Sequence, residues 1–213
     1  MTVSYSYIPL TKVDQLDGQE TGHANKSPLL FDLLSALSKD ERHEILELLP
    51  ANKELIDSFS GYYCKLYLPG CQQELSKMTS EKYDTATKLH RAFTKSLGFY
   101  KKQSASLNVI FLWDLPNYMD KQVMKGLIEY LSQHMHEKVK LHFYIHTKHQ
   151  MPASPGIYSI MSENKIRLKS SSSDTFVKSP LYFQESLQKL MYPFKVKRSM
   201  LLSGGLQEYI LEL

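Results

Sequence analysis

The sequence feature that most restricts the fold of this chain is the near-continuous apolar segment Leu107–Trp113. It is far shorter than the roughly 20 residues that span a bilayer. An apolar run of this length is typical of a β-strand that is covered on both faces. Asp120 then begins an amphipathic helix, and residues 139–145 read as a second apolar strand. The spacing predicts a βαβ unit with parallel strands and a right-handed crossover.

The first 100 residues predict an extension followed by helices. Residues 1–26 are polar and show no sustained period, which predicts a flexible extension. Ser27 and Pro28 are typical of a helix N-cap and a first helical position, and leucines at helical spacing follow them. Capping residues and apolar periodicity predict three more helices, over residues 38–49, 52–66 and 80–97.

The residues that follow the βαβ unit predict hairpins. Two alternating segments, 157–161 and 165–169, are separated by a short polar turn, and two more flank Ser203-Gly204-Gly205. The predicted fold class is α/β or α+β: a helical N-terminal layer, a βαβ unit and C-terminal hairpins in a mixed sheet of about five to six strands. The predicted organisation is a flexible extension (1–26), a helical region (27–100) and an α/β region (101–213), packed as one domain.

Composition and termini restrict the cellular setting. The chain carries a mild net charge of +4 and two cysteines, which is too few for a disulfide framework. It begins without a signal peptide pattern. These features predict a cytoplasmic protein, with export by a signal-independent route left open. The basic C-terminal half favours a protein partner, RNA or another anionic ligand.

Residues 109–117 form an apolar strand that ends in Asp114, with Asn117 three residues later. This segment resembles the first motif of the NYN branch of the PIN-like ribonucleases. A second patch, residues 172–176 around Asp174, is loosely similar to a later motif of that family. The resemblance implies a nuclease in which Asp114 binds Mg²⁺ or Mn²⁺, with Asn117 and Asp174 at the same site. The family has a further acidic residue between these motifs, and here only Glu163 is available, so a degenerate nuclease is included in this hypothesis.

Two simpler interpretations stand beside the nuclease. Asp114 and Asn117 can form a polar turn after a strand, with Pro116 fixing the turn. Cys71 follows Pro69-Gly70 and precedes a short helical pattern, a position at which a helix dipole lowers a thiol pKa. That placement makes Cys71 a candidate nucleophile of a cysteine hydrolase with His142 as its candidate base, although buried cysteines are commonly inert.

Basic residues alternate with apolar ones along two predicted strands. Lys165, Arg167 and Lys169 form one stripe, and Lys195 and Lys197 form another. If the two strands are neighbours, one face of the sheet carries a cationic strip for an anionic partner. Lysines on edge strands also prevent aggregation without any binding role.

Three functions follow in order of preference. The first is a protein-interaction or binding module with a basic α/β face and no complete catalytic set. The second is the metal-dependent nuclease built on Asp114, for which Mg²⁺ or Mn²⁺ is the cofactor. The third is the cysteine hydrolase that uses Cys71.

Overall fold

The computed structural model describes residues 4–6, 23–98, 106–161, 165–169 and 175–213. Within this part of the chain the helices are α1 (Pro28–Ser35), α2 (Lys53–Phe59), α3 (Gln72–Leu75), α4 (Ala86–Leu97), α5 (Lys121–Ser132) and α6 (Gln184–Leu190). The strands are β1 (Ser4–Ser6), β2 (His23–Lys26), β3 (His43–Glu47), β4 (Cys64–Tyr67), β5 (Leu107–Trp113), β6 (Met135–His146), β7 (Gln150–Pro152), β8 (Ile157–Ile160), β9 (Lys165–Lys169), β10 (Phe176–Lys178), β11 (Lys195–Leu201) and β12 (Leu206–Glu212).

The main sheet is mixed, and its strand order is β1-β4-β3-β5-β6-β12-β11. Strands β1, β4, β3, β5 and β6 are parallel to one another. Strand β12 runs antiparallel to both β6 and β11. The predicted βαβ unit is confirmed as β5-α5-β6. Strand β4, which follows β3 in the chain, pairs with β3 on the side away from β5. Strand β6, which follows β5, pairs with β5 on the side away from β3. The direction in which successive strands are added therefore reverses between β3 and β5.

Both faces of the main sheet are covered. Helices α4, α5 and α6 pack on one face, and their buried side chains include Phe93, Leu127 and Leu187. Helices α1 and α2 and the small sheet β2-β9-β8 pack on the other, through residues such as Leu33 and Tyr158. Every residue of β5 except Asn108 is buried as a result. Double coverage explains why this strand is an unbroken apolar run rather than an alternating one.

The helix predicted over residues 38–49 is wrong, because that segment forms β3. Its apolar residues are compatible with either a helix or a buried strand at this length. Parallel pairing with β4 on one side and β5 on the other decides the outcome. The helix predicted over residues 52–66 ends earlier than expected, at Phe59, and β4 follows it.

The predicted α/β class with a mixed sheet is confirmed. Two short strands, β1 and β2, lie within the segment predicted to be an extension, and most of the remainder of that segment lies outside the described residues. None of the helices described is long and apolar enough to cross a membrane. The domain boundaries stay predictions.

Candidate functional site

The carboxyl ends of four parallel strands bring polar residues together at one edge of the main sheet, here called the carboxyl edge. Glu47 ends β3, Asp114 follows β5 and His146 ends β6. Gln72 begins the helix after β4, where its backbone N–H donates to the carbonyl oxygen of Leu48 at 3.2 Å. Because parallel strands all end at the same edge, residues far apart in sequence become neighbours.

Asp114 is the centre of this group and is only 2% exposed. Its Oδ1 accepts a hydrogen bond from Gln72 Nε2 at 3.2 Å, and its Oδ2 accepts one from the backbone N–H of Gly156 at 3.0 Å. His146 Nε2 lies 3.9 Å from the same Oδ2. We call Gln72, Asp114, His146 and Gly156 the Asp114 cluster. Its hydrogen bonds offset part of the desolvation of the carboxyl group.

Two tyrosine hydroxyls are influenced by the same carboxyl group. Burial raises the pKa of Tyr118, and the charge of Asp114 raises it further. The pKa of Tyr158 is also raised well above its ordinary value, first by burial and then by Asp114. Both hydroxyls therefore stay protonated in the physiological range and can serve only as neutral hydrogen-bonding groups.

Glu47 and Trp113 form a buried pair on the neighbouring strand ends. Trp113 Nε1 donates to Glu47 Oε1 at 2.6 Å, and the backbone N–H of Leu49 donates to the same oxygen at 2.8 Å. Burial raises the pKa of Glu47 to about 8, although these hydrogen bonds act in the opposite direction. Tyr158 stacks on Trp113 with 4.9 Å between ring centroids. This stacking connects the pair to the Asp114 cluster.

A second buried network fixes helix α1 to the sheet. Glu208 of β12 accepts hydrogen bonds from Ser27 Oγ and from the backbone N–H groups of Leu29 and Leu30, at 2.6 to 3.1 Å. His142 Nε2 lies 2.9 Å from the same carboxylate. The carboxylate thereby satisfies N–H groups that the first turn of a helix leaves unpaired. This network has a structural role.

The metal-dependent nuclease interpretation is wrong. Both carboxyl oxygens of Asp114 accept hydrogen bonds from the chain itself. Among the residues that the structure describes, no three His, Cys, Asp or Glu side chains form a group able to hold a metal ion. Asp174 and Glu163 lie outside the described residues. Asp114 and Asn117 stay candidate site residues, in a different chemical setting.

The cysteine hydrolase interpretation is also wrong. Cys71 is 3% exposed and belongs to the core that lies under α4 and α5. Burial, followed by the charge of Glu74, raises the pKa of its thiol, which is the opposite of activation. The candidate base, His142, is bound to Glu208 and packs in the core on the other face.

The sheet topology contradicts the predicted binding module with one basic face. Lys165, Arg167 and Lys169 lie on β9 in the small sheet, whereas Lys195 and Lys197 lie on β11, at the edge of the main sheet. The two stripes therefore belong to different sheets and do not form the continuous cationic strip that this function required. Anion binding by either stripe alone stays a prediction.

Local sequence patterns do not predict most of the carboxyl edge. The helix predicted over residues 38–49 included Glu47, and no pattern indicates that Gln72, His146 or Gly156 contacts Asp114. One signal was present, since Glu47 follows the apolar Ile45-Leu46 pair as Asp114 follows its own apolar run. The backbone contact made by Gly156 has no counterpart in a sequence motif.

Two surface grooves lie elsewhere. One, of about 360 Å³, runs between α4 and α5 and is lined by residues such as His90 and Tyr130. The other lies on the basic side of α4, between Lys82 and Lys95. Neither groove contains Glu47 or Asp114. Asp114 is buried, and the segment that ends at Gly156 contacts it directly.

Comparisons with known proteins show a distant likeness in shape. No family model matches the sequence, and no curated protein matches it. The glycopeptide N-methyltransferase MtfA has 8% identity and a TM-score of 0.45, with 87% of each chain covered. An S-adenosylmethionine-dependent methyltransferase from Clostridium acetobutylicum has 11% identity and a TM-score of 0.42, with 87% of this chain and 89% of that chain covered. Identities and TM-scores this low do not establish membership of a family.

Proposed function

We propose that this chain is an S-adenosylmethionine-dependent methyltransferase whose site lies at the carboxyl edge of the main sheet. The observation that carries the proposal is the position of the Asp114 cluster beside the point where the strand order reverses, between β3 and β5. Open α/β sheets bind their ligands outside the carboxyl ends of the strands, at such a reversal.

The turn after β3 restricts the class of ligand. Loops that hold a pyrophosphate use glycines so that the backbone can approach the phosphates closely. Here the turn is Leu48-Leu49-Pro50-Ala51-Asn52, which has no glycine, and both leucines are fully buried. The edge therefore does not fit a dinucleotide. S-adenosylmethionine contains no phosphate, and its sulfonium is a cation, which suits an acidic and aromatic environment.

Unpartnered polar atoms at this edge also fit a polar ligand. Among the described residues, Glu47 Oε2, Gln72 Oε1 and His146 Nε2 are buried and lack a hydrogen-bond partner. Buried polar atoms without partners are uncommon in folded proteins. All three can accept a hydrogen bond from an amine or hydroxyl, and the first two belong to side chains that are at most 1% exposed.

Asp114 and His146 are the groups that would handle a proton. The bound S-adenosylmethionine supplies an electrophilic methyl group, and the methyl acceptor loses a proton as it is methylated. The His146 imidazole can accept that proton at Nε2, and the Asp114 carboxyl group 3.9 Å away can stabilise the resulting charge. Glu47, with a pKa of about 8, is mainly protonated at neutral pH and can orient a ligand without adding charge.

Access to the edge requires movement of one segment. Gly156 donates its N–H to Asp114, and Gln73 Nε2 donates to the carbonyl oxygen of Pro155 at 3.1 Å. A ligand that bonds to Asp114 Oδ2 replaces the contact with Gly156. We therefore expect ligand binding to displace the residues immediately before β8.

Isothermal titration calorimetry tests the proposal. The ligands are S-adenosylmethionine, S-adenosylhomocysteine, NAD and ATP. S-adenosylmethionine is first because it contains no phosphate and carries a sulfonium cation, which suits an acidic and aromatic environment. We expect the first two ligands to bind and the phosphate-containing ligands not to bind. The Asp114→Asn variant should weaken binding at least about tenfold, which corresponds to about 1.4 kcal/mol.

Asp84→Asn is the matched control. Asp84 is exposed, pairs with Lys88 on the surface and is not a member of the Asp114 cluster. Its substitution should leave affinity unchanged. The proposal fails if the wild-type protein does not bind S-adenosylmethionine, or if Asp114→Asn binds it as tightly as the wild type does.

A further inference from the structure

Asn117 connects the two strand ends that carry Asp114 and His146. It lies in a 3₁₀ turn, Leu115–Asn117, directly after β5, and is 5% exposed. Its Nδ2 donates to the carbonyl oxygen of Asp114 at 2.7 Å and to that of Tyr144 at 2.9 Å. Its Oδ1 accepts the backbone N–H of His146 at 2.9 Å. One side chain therefore holds backbone groups of both members of the candidate proton-transfer pair.

The strand ends need this connection because regular pairing between β5 and β6 stops before them. The last paired residues are Trp113 and Phe143, and the register shifts between Phe111 and Trp113. Trp113 has a φ of 50°, in the left-handed region that few residues other than glycine adopt. The chain thus leaves the sheet at Trp113, while β6 continues to His146. Without ladder hydrogen bonds, the relative position of Asp114 and His146 depends on side-chain contacts.

The chemistry of an amide matches what this place requires. Two carbonyl oxygens need N–H donors, and one N–H needs an acceptor. An asparagine side chain supplies two donor hydrogens and one acceptor oxygen. Aspartate lacks the donors and serine supplies only one.

We propose that Asn117 is the positioning residue that sets the Asp114–His146 separation. The inference deepens the proposed function and rests on it for the role of the pair. The separation itself can be tested without a ligand. The ionisable groups that face His146 are the Asp114 carboxyl group, 3.9 Å from Nε2, and Tyr118, whose ring centroid lies 6.5 Å away. Two further neighbours of His146 carry no charge. They are Ser179, whose Oγ donates to the His146 carbonyl oxygen, and Leu206 of β12.

A double-mutant cycle on the ligand-free protein provides the test. The measured quantity is the NMR chemical shift of the His146 imidazole at one fixed pH, assigned with a His146→Gln variant. Asp114→Asn should change this chemical shift in the wild-type background, because the carboxyl group lies 3.9 Å from Nε2. In the Asn117→Ala background, Asp114→Asn should change the His146 signal by less than about half as much. Without Asn117 we expect Asp114 and His146 to move apart, and residues that are no longer in contact lose their energetic coupling.

Asn108→Ala is the matched control. Asn108 lies near the amino end of β5, and its Oδ1 accepts the backbone N–H of Glu44 at 2.8 Å, so its loss also removes a side-chain bond between neighbouring strands. In this background the effect of Asp114→Asn should be undiminished. If Asn117→Ala does not fold, Asn117→Ser, which keeps one donor, replaces it in the cycle.

The inference is overturned if Asp114→Asn has the same effect on His146 with and without Asn117. It is also overturned if Asp114→Asn leaves the His146 chemical shift unchanged. Calorimetry separates these results from the proposed function. If the protein binds S-adenosylmethionine and Asp114→Asn has the same effect on His146 with and without Asn117, only the role of Asn117 is contradicted. A cycle with the expected coupling in a protein that does not bind the ligand contradicts only the proposed function.

Discussion

At the scale of single residues, two buried glutamates have pKa values shifted in opposite directions. Burial raises the pKa of Glu47 to about 8, because its hydrogen bonds offset only part of the desolvation. Burial also acts to raise the pKa of Glu208. There, however, the hydrogen bonds from His142, Ser27 and Leu30 and the charge of His142 lower the pKa below its usual value. Hydrogen bonds act against burial at both carboxyl groups, and at Glu208 the charge of His142 acts in the same direction as the hydrogen bonds.

Trp113 should report the protonation of Glu47. It is the only tryptophan of the chain, and its Nε1–H donates directly to Glu47 Oε1. Ionisation of that carboxyl group places a negative charge beside the indole. We expect the fluorescence of Trp113 to change with a midpoint near pH 8. The change should be absent in Glu47→Gln, and it should persist in Glu44→Gln, which alters a partly buried carboxyl group near the other end of β3. A signal that survives in Glu47→Gln would contradict the assignment.

At the scale of elements, the segment between β7 and β8 closes the carboxyl edge. β7 pairs antiparallel with β10, and the chain then passes over Asp114 to reach β8. Gly156 also packs closely against the small sheet. A Cβ at this position would lie 2.3 Å from Leu168 Cδ1 and 3.1 Å from the Tyr158 ring. An added methyl group would therefore force the Leu168 side chain to shift.

Substitution of Gly156 should destabilise the protein. We expect Gly156→Ala to lower the free energy of unfolding by about 1–3 kcal/mol, because the added methyl group overpacks the site. Gly61→Ala is the control, since no atom lies within 4 Å of the position of its added Cβ. There the effect should be within about 1 kcal/mol of zero. Urea denaturation followed by circular dichroism measures both variants, and equal effects would show that Gly156 is not constrained by packing.

At the scale of the whole molecule, two buried glutamates make contacts between separate elements. Glu208 connects β12 to the start of α1, and Glu47 connects the end of β3 to Trp113 at the end of β5. Their shifted pKa values link protonation to global stability. The stability that Glu208 contributes is lost as pH falls through its lowered pKa, below about 4.5. The stability that protonated Glu47 contributes is lost as pH rises between about 4.5 and 8.

The free energy of unfolding should therefore decline on both sides of a maximum in the mildly acidic range. Glu47→Gln should remove most of the decline between about pH 5 and 8, an effect of up to a few kcal/mol, and should leave the acid side unchanged. Glu208→Gln should reduce the acid-side dependence. Urea titrations at a series of pH values measure both effects. A Glu47→Gln profile identical to that of the wild type would show that Glu47 is not the group responsible.

Local sequence signals predicted the elements in which one pattern dominates. The apolar β5, the amphipathic α5 with its Asp120 cap and the C-terminal hairpin were all predictable for this reason. The residues of β3 were predicted to form a helix, because a short apolar segment fits both periods, and pairing on both sides decides between them. Asp114 and Asn117 as site residues stay a prediction.

The sequence by itself determined that the chain forms a covered α/β sheet with polar residues at the end of its central strand, because strand burial and helix capping are encoded locally. Only the tertiary structure decided what surrounds Asp114. Gln72, His146 and Gly156 lie 42, 32 and 42 residues from it along the chain. They meet because the carboxyl ends of parallel strands share one edge, and strand order is a property of long-range packing that no local pattern specifies.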